Sequence, residues 1–320
     1  MGKTGIKISE LGFGGWGIGG DWWSGADDEE SLKSLEQAKE LGVTLFDSAL
    51  QYGNGHSEML IGRAIKDNRD KFVITSKIPP KNFVYPPKVG SPVEEAFPAD
   101  WIVECTERSL KNFGVECIDL QQFHVWINSW GESDELRRAV EQLKKDGKIK
   151  AFGCSVNFPF DETDNAIPGM KSGLFDTIQI VHNIYEQAPE AEVFKVAEEN
   201  NVGVISRCPL DEGALSGKIT PETTFPEGSF LDTYFKDDRK AIVEQKAKEL
   251  DWLMSEGHAE NLAEAAIRYV LSHPAVSTAI VGMRNPKHAV ANCKAIDKGP
   301  LPADVMKRLK KHAWPHNYWI

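Results

Sequence analysis

Eight short runs of apolar and β-branched residues recur along this chain with segments of helical period between them, and this recurrence limits its possible folds more than any other feature. The runs fall at 10–15, 43–49, 72–77, 118–124, 149–156, 175–183, 202–209 and 277–283, and the helical patterns at 29–41, 57–67, 99–113, 134–145, 161–171, 191–200 and 286–296. Near-continuous apolar strands need cover on both faces, which means parallel pairing under a layer of helices. Eight such units with no Pro/Gly/Ser-rich linker between halves fit a closed (β/α)8 TIM barrel, one domain over residues 1–320, better than an open sheet in two domains. Two pieces exceed the repeat. Residues 210–276, between the seventh and eighth strands, hold a loop (211–236) and two helical patterns (239–255 and 262–272); a polar helix (302–312) and an aromatic tail, Trp314 to Trp319, follow the eighth unit. Long insertions in a barrel usually lie on its C-terminal face, over a ligand.

Charge and cysteine content exclude several functions. With 37 basic and 48 acidic residues the net charge is −11, which disfavours nucleic acid and anionic membrane surfaces as partners. No apolar run approaches the ~20 residues that cross a bilayer, and the N-terminus lacks the charged-then-apolar build of a secretion signal, so the expectation is a cytoplasmic protein. The five cysteines are scattered and never in C-x-x-C spacing, which predicts reduced thiols and neither a disulfide framework nor a zinc knuckle.

Gly12-Phe13-Gly14-Gly15-Trp16-Gly17 satisfies G-x-G-x-x-G, the dinucleotide fingerprint of an open sheet, but that fingerprint must open a helix directly and here a further loop follows. The glycines read instead as letting the first strand's exit approach a ligand. Polar residues at other strand exits carry more chemistry. Asp47, Lys77 and His124 end the second, third and fourth runs, so their side chains converge over the mouth of a barrel, and Tyr52, on the loop after Asp47, reaches the same place. A lysine held by a carboxylate favours a neighbouring phenolate, which predicts that Tyr52 is a stronger proton donor than in water; a histidine beside it can hydrogen-bond a carbonyl oxygen.

These residues sit in segments that, taken together, resemble the aldo-keto reductase family over nearly the full length. The matching pieces are Leu11 to Trp16, Phe46-Asp47-Ser48-Ala49 to Tyr52-Gly53, Ser57-Glu58 to Ile61-Gly62, Ser76-Lys77, Asp119-Leu120 to His124, Gly147-Lys148-Ile149, Gly153 to Asn157, Gln179, and Pro209-Leu210 to Lys218. The resemblance implies NADP(H)-dependent reduction of an aldehyde or ketone to an alcohol by hydride transfer, without metal. It puts Asp47, Tyr52, Lys77 and His124 at the catalytic tetrad, with Tyr52 as general acid, Lys77 and Asp47 tuning it and His124 orienting the carbonyl. It assigns Ser155, Asn157 and Gln179 to the nicotinamide carboxamide, Arg207 to the vicinity of its ring, and Leu210, Gly213, Leu215, Gly217 and Lys218 to the loop around the pyrophosphate. Gly15 and Trp16 join the cofactor side at the first strand's exit, and Gly282, Arg284, His288 and Asn292 form the adenosine end. Independently of the resemblance, Asn285-Pro286 opens a helix with a cap and a first-turn proline, a ready phosphate site, and Arg284 beside it is a planar cation suited to a 2′-phosphate. The chain departs from the family at three positions: Arg207 stands where a stacking aromatic ring is common, His182 where tyrosine is frequent, and Ala291 where a glutamate contacts adenine.

Trp16, Trp22, Trp23, Tyr85, Trp126, Trp130 and Phe158 fall on or after strand exits and predict an apolar, flat-sided substrate pocket. The expected partner is a small-molecule carbonyl substrate, met by a monomer or weak homo-oligomer. Two other readings compete. One is a cofactor-binding regulatory subunit of the same family type, without a main catalytic role. The other is a metal-dependent barrel hydrolase built on His124, Asp47 and His182, although no H-E-x-x-H occurs and no metal is expected.

Overall fold

Eight parallel strands close into a barrel in sequence order, β1 pairing with β8. The computed structural model describes every residue except 21, 22, 24 and 320, so Trp22 lies outside the described residues. The strands are β1 Leu11–Gly14, β2 Leu45–Asp47, β3 Val73–Ile78, β4 Ile118–Phe123, β5 Ile149–Ser155, β6 Thr177–Val181, β7 Gly203–Arg207 and β8 Val276–Gly282. β2, β3, β4 and β6 are buried at every position, as strands between a packed interior and a helical layer must be. The helices outside follow their apolar stripes. In Asp134–Lys145, Leu136, Ala139, Val140 and Leu143 recur at i, i+3, i+4, i+7 and are buried, and Ser133 caps the start by accepting from the Leu136 backbone N–H.

Three helical expectations change. Of the pattern at 161–171 only Ile167–Lys171 is helical, because the Asp161 carboxylate accepts from both the backbone N–H and the hydroxyl of Thr163 and holds that segment in a turn. The pattern at 239–255 divides into Arg239–Lys248 and Trp252–Ser255; between them Leu250 and Asp251 donate to carbonyls three residues back, and this tighter turn puts both Leu250 and Leu253 in the core. The helix at 302–312 is Ala303–Leu309 followed by the 3₁₀ turn Lys310–His312. Inside the insertion, Ser229 caps an additional short helix, Phe230–Tyr234.

The two ends of the barrel differ. At the N-terminal end, Met1, Ile6 and Ile8 pack on a layer of Leu45, Val73, Leu120, Ala151, Ile205 and Ile280 and seal it. The C-terminal end is where the loops gather. There the tail crosses the top: Trp314 donates its backbone N–H to Tyr185, His316 Nε2 lies 3.2 Å from Asp211 Oδ2, and Trp319 stacks on Trp16 with centroids 5.5 Å apart. No helix among the described residues is long and apolar enough to cross a membrane.

Candidate active site

Asp47, at the end of β2, and Lys77, near the end of β3, meet as a buried ion pair of 2.6 Å. Every atom of the pair is held. Asp47 Oδ1 accepts from Thr75 Oγ1 at 2.6 Å and from Gln179 Nε2 at 2.8 Å, while Lys77 Nζ also donates to the Ser48 carbonyl at 2.8 Å. A buried charge pair is tolerable only when satisfied in this way. The third hydrogen of Lys77 Nζ points to Tyr52 Oη at 3.5 Å. His124, just past β4, meets the Tyr52 ring edge-on at 5.7 Å, and its Nδ1 is buried without a protein partner among the described residues. The four predicted side chains therefore share one place at the barrel mouth.

Their protonation follows from burial. Desolvation, reinforced by Lys77 and Arg207, pushes the His124 imidazole well below its ordinary value, so it is neutral at neutral pH and can hydrogen-bond an oxygen without bringing a charge. Burial lowers Lys77 while Asp47 opposes the loss of its proton. The expectation of an acidified Tyr52 is corrected: burial first, then the Asp47 carboxylate, raise its phenol well above the ordinary value, and Arg207 is the cation that opposes them. The phenol keeps its proton, in position to donate.

The glycine-rich stretch after β1 packs Gly15 against Asp47 and Gly19 against the loop that carries Tyr52. The Gly15 backbone N–H donates to the Asp47 carbonyl at 2.8 Å, and a Cβ there would lie 2.6 Å from that oxygen and 2.7 Å from Ser57 Oγ. A Cβ on Gly19 would lie 2.9 Å from the Tyr52 carbonyl carbon. Two loops approach each other backbone to backbone, and only glycine permits it.

The residues expected at the cofactor form a band from β5 to β8. Ser155 is buried at the end of β5. Asn157 accepts from the Trp126 backbone N–H at 3.1 Å and donates to the Trp126 carbonyl, which leaves one amide hydrogen and one lone pair for a ligand; Gln179, holding Asp47, keeps its other hydrogen and its carbonyl. Arg207 Nη2 reaches back across β6 to the Val156 carbonyl at 3.1 Å, and its Nε is buried without a partner among the described residues. Beyond β7, Gly213 has φ +108° with nothing within 4 Å of where a side chain would begin, an open cradle, and Gly217 and Lys218 are exposed. Leu215 is fully buried, and its backbone N–H donates to the Leu210 carbonyl at 3.0 Å. After β8, Gly282 is exposed and accepts from Asn292 Nδ2 at 3.3 Å, and Asn285 caps the helix Pro286–Ala295 by accepting from the His288 N–H at 3.0 Å. Burial, then the charges of Lys218 after β7 and Arg284 after β8, lower the imidazole of His288 in the first turn of that helix. Orphaned donors, an open glycine cradle and a basic cluster at a helix N-terminus fit an extended, phosphate-bearing cofactor.

The aromatic pocket needs correction in part. Tyr85 meets the His124 ring at 5.6 Å and donates to Gln51 Oε1, and Phe158 is half-buried beyond β5. Trp16 lies 6.2 Å from Tyr52, and Trp23 meets Trp16 edge-on at 5.4 Å. Trp126 does not line the mouth: it is fully buried between Phe123, at 5.8 Å, and Phe175, at 4.7 Å, as part of the core. Trp130 is also buried, donating to the Ser91 carbonyl under the β3 loop. In their place stand Phe230 and Trp319, 4.7 and 5.5 Å from Trp16, which sequence reasoning left unassigned. The aromatic density of the tail was the available signal. His182 turns away from the site, fully buried against Glu190, Tyr269 and His273. Among the described residues no group of three His, Cys, Asp or Glu is arranged to hold a metal.

Comparison with known proteins agrees with this geometry. The family model "Aldo/keto reductase family" matches residues 10–313. Aldo-keto reductase YhdN of Bacillus subtilis is 33% identical over 290 residues, 88% of this chain and 83% of the relative. The solved holo form of an aldo-keto reductase from Bacillus halodurans superposes with a TM-score of 0.76 at 26% identity, covering 99% of this chain and 96% of the other. A glycerol dehydrogenase of Gluconobacter oxydans gives 0.76 at 27% identity over 96% and 92%.

Proposed function

The chain belongs to the aldo/keto reductase family, and from that membership and the geometry of its mouth we propose that it is an NADP(H)-dependent oxidoreductase reducing an aldehyde or ketone to the alcohol. The observation that carries the reading is Lys77 Nζ, bonded to Asp47 at 2.6 Å and reaching Tyr52 Oη at 3.5 Å. When bound, the reduced nicotinamide supplies the hydride to the carbonyl carbon. Tyr52 Oη donates its proton to the carbonyl oxygen, and Lys77 lowers the energy of the phenolate left behind. Asp47 keeps Lys77 charged and in place. Neutral His124 orients the same oxygen. Solvent returns the proton to Tyr52.

Arg284, Lys218 and His288 would hold the adenosine phosphates, and Ser155, Asn157 and Gln179 the carboxamide. Tyr85, Trp16, Trp23, Phe158, Phe230 and Trp319 surround the entry and favour aromatic, aliphatic or sugar-like carbonyls. The enzyme would work in the cytoplasm as a monomer or weak homo-oligomer. A regulatory subunit that only binds cofactor has less support, because the tetrad is complete and in contact. The test mixes the protein with NADPH, a chelator and a panel of aldehydes and follows reduced nicotinamide absorbance. Consumption with at least one aldehyde supports the proposal; cofactor binding with no consumption across the panel favours the regulatory reading.

A further inference from the structure

Arg207 occupies the β7 exit, where by the resemblance many family members carry an aromatic ring, and its surroundings give that substitution a consequence. The side chain extends from β7 across β6 to the Val156 carbonyl, between Ser155 and Asn157, so it lies over the ground assigned to the nicotinamide. Its Nη1 donates to Cys208 Sγ at 3.8 Å, and that thiol donates to Glu212 Oε1 at 3.0 Å. Cation and carboxylate are thus linked through a sulfur, and among the described residues they form no direct ion pair. The connecting backbone is unusual: Cys208, Asp211 and Glu212 take φ of +54°, +49° and +52°, conformations that favour glycine. A loop held in this form fixes where Glu212 points.

We propose that Arg207, coupled to Glu212 through Cys208, makes the site prefer the reduced over the oxidised cofactor, by a margin that Glu212 ionisation reduces. The inference rests on the NADP(H) reading above. The reduced ring is neutral and can stack on a planar guanidinium, whereas the oxidised ring carries a positive charge that meets Arg207 in a partly dry site. An ionised Glu212 offsets that charge; a protonated one does not.

Burial, with Asp211 adding to it, raises the Glu212 carboxyl to about 7, against the pull of Cys208 and Arg207. The groups facing it are Cys208, Arg207 and Asp211 on its own loop, with Asp211 in turn beside His316 of the tail, together with Tyr52 after β2 and Tyr234 of the insertion. The sign follows. Below the Glu212 value the carboxyl is neutral and NADP⁺ binds weakly; above it the carboxylate partly cancels Arg207 and NADP⁺ binds better, so its binding near neutral pH releases protons.

The measurement is the ratio of dissociation constants, NADP⁺ over NADPH, by fluorescence titration at pH values on both sides of neutrality. In the wild type the ratio should fall several-fold as pH rises. Arg207→Gln should lower it by about fivefold or more, whereas Arg207→Lys, which retains the charge, should keep it near the wild-type level. Glu212→Gln should hold it at its low-pH level throughout. An Arg207→Gln ratio equal to wild type, or a pH dependence that survives Glu212→Gln, would overturn the inference while leaving the NADP(H) reading intact. Failure of the wild type to bind either form would overturn both.

Discussion

Arg284 bridges the loop after β1 and the helix that follows β8. Its guanidinium lies over the Trp23 ring at 5.2 Å, and its stem crosses Gly17, where a Cβ would come within 2.7 Å of Arg284 Cγ. With Lys218 and His288 it forms the basic end of the proposed cofactor site, and Glu30 is the acid that opposes its loss of charge. A charge-assisted contact to a phosphate is worth roughly 1.5–3 kcal/mol, or about ten- to a hundredfold. Arg284→Ala should therefore narrow the NADH to NADPH ratio of dissociation constants by that factor, and an unchanged ratio would move the 2′-phosphate site elsewhere. At this scale the sequence showed which residues stand at strand exits, because an exit is where an apolar run stops. It did not show that Gly15 abuts the Asp47 carbonyl, since that contact depends on the β1–β2 register, nor that burial and Asp47 together outweigh Arg207 in setting the Tyr52 phenol.

The strands and outer helices were legible as elements because each is buried along a period that its own residues display. The Asp161 turn was not, because a side chain competes there with the helix for backbone donors. The tail was legible only as aromatic: its position depends on contacts with Tyr185, Asp211 and Trp16, each more than a hundred residues away in sequence. One of those contacts titrates. Burial alone would lower His316, but the Asp211 carboxylate and the Trp314 carbonyl raise it above its ordinary value. A group raised on folding contributes stability that is present below its unfolded value, ~6.5, and lost as pH rises through the folded one. Backbone amides of the tail should therefore be less protected against hydrogen exchange at mildly alkaline than at mildly acidic pH, after correction for intrinsic rates, and His316→Gln should remove the difference. Protection that is constant or rises with pH would show that the pair does not hold the tail.

Across the whole molecule the barrel separates stability from chemistry. Leu45, Leu120, Ala151 and Ile205, strand residues near the N-terminal end of the barrel, form a layer sealed by Met1, Ile6 and Ile8, while the tetrad lies at the strand exits on the opposite rim. Leu120→Ala should cost about 2–5 kcal/mol in denaturant unfolding and leave KM and turnover per folded molecule unchanged; a large loss of turnover in the folded variant would mean the two ends are coupled. The account stands most directly on Tyr52 as proton donor. The deciding measurement is single-turnover reduction of a reactive aldehyde by Tyr52→Phe, alongside NADPH affinity. The account predicts undiminished NADPH binding with a rate reduced by about 10²–10⁴; wild-type turnover in the phenylalanine variant would contradict it.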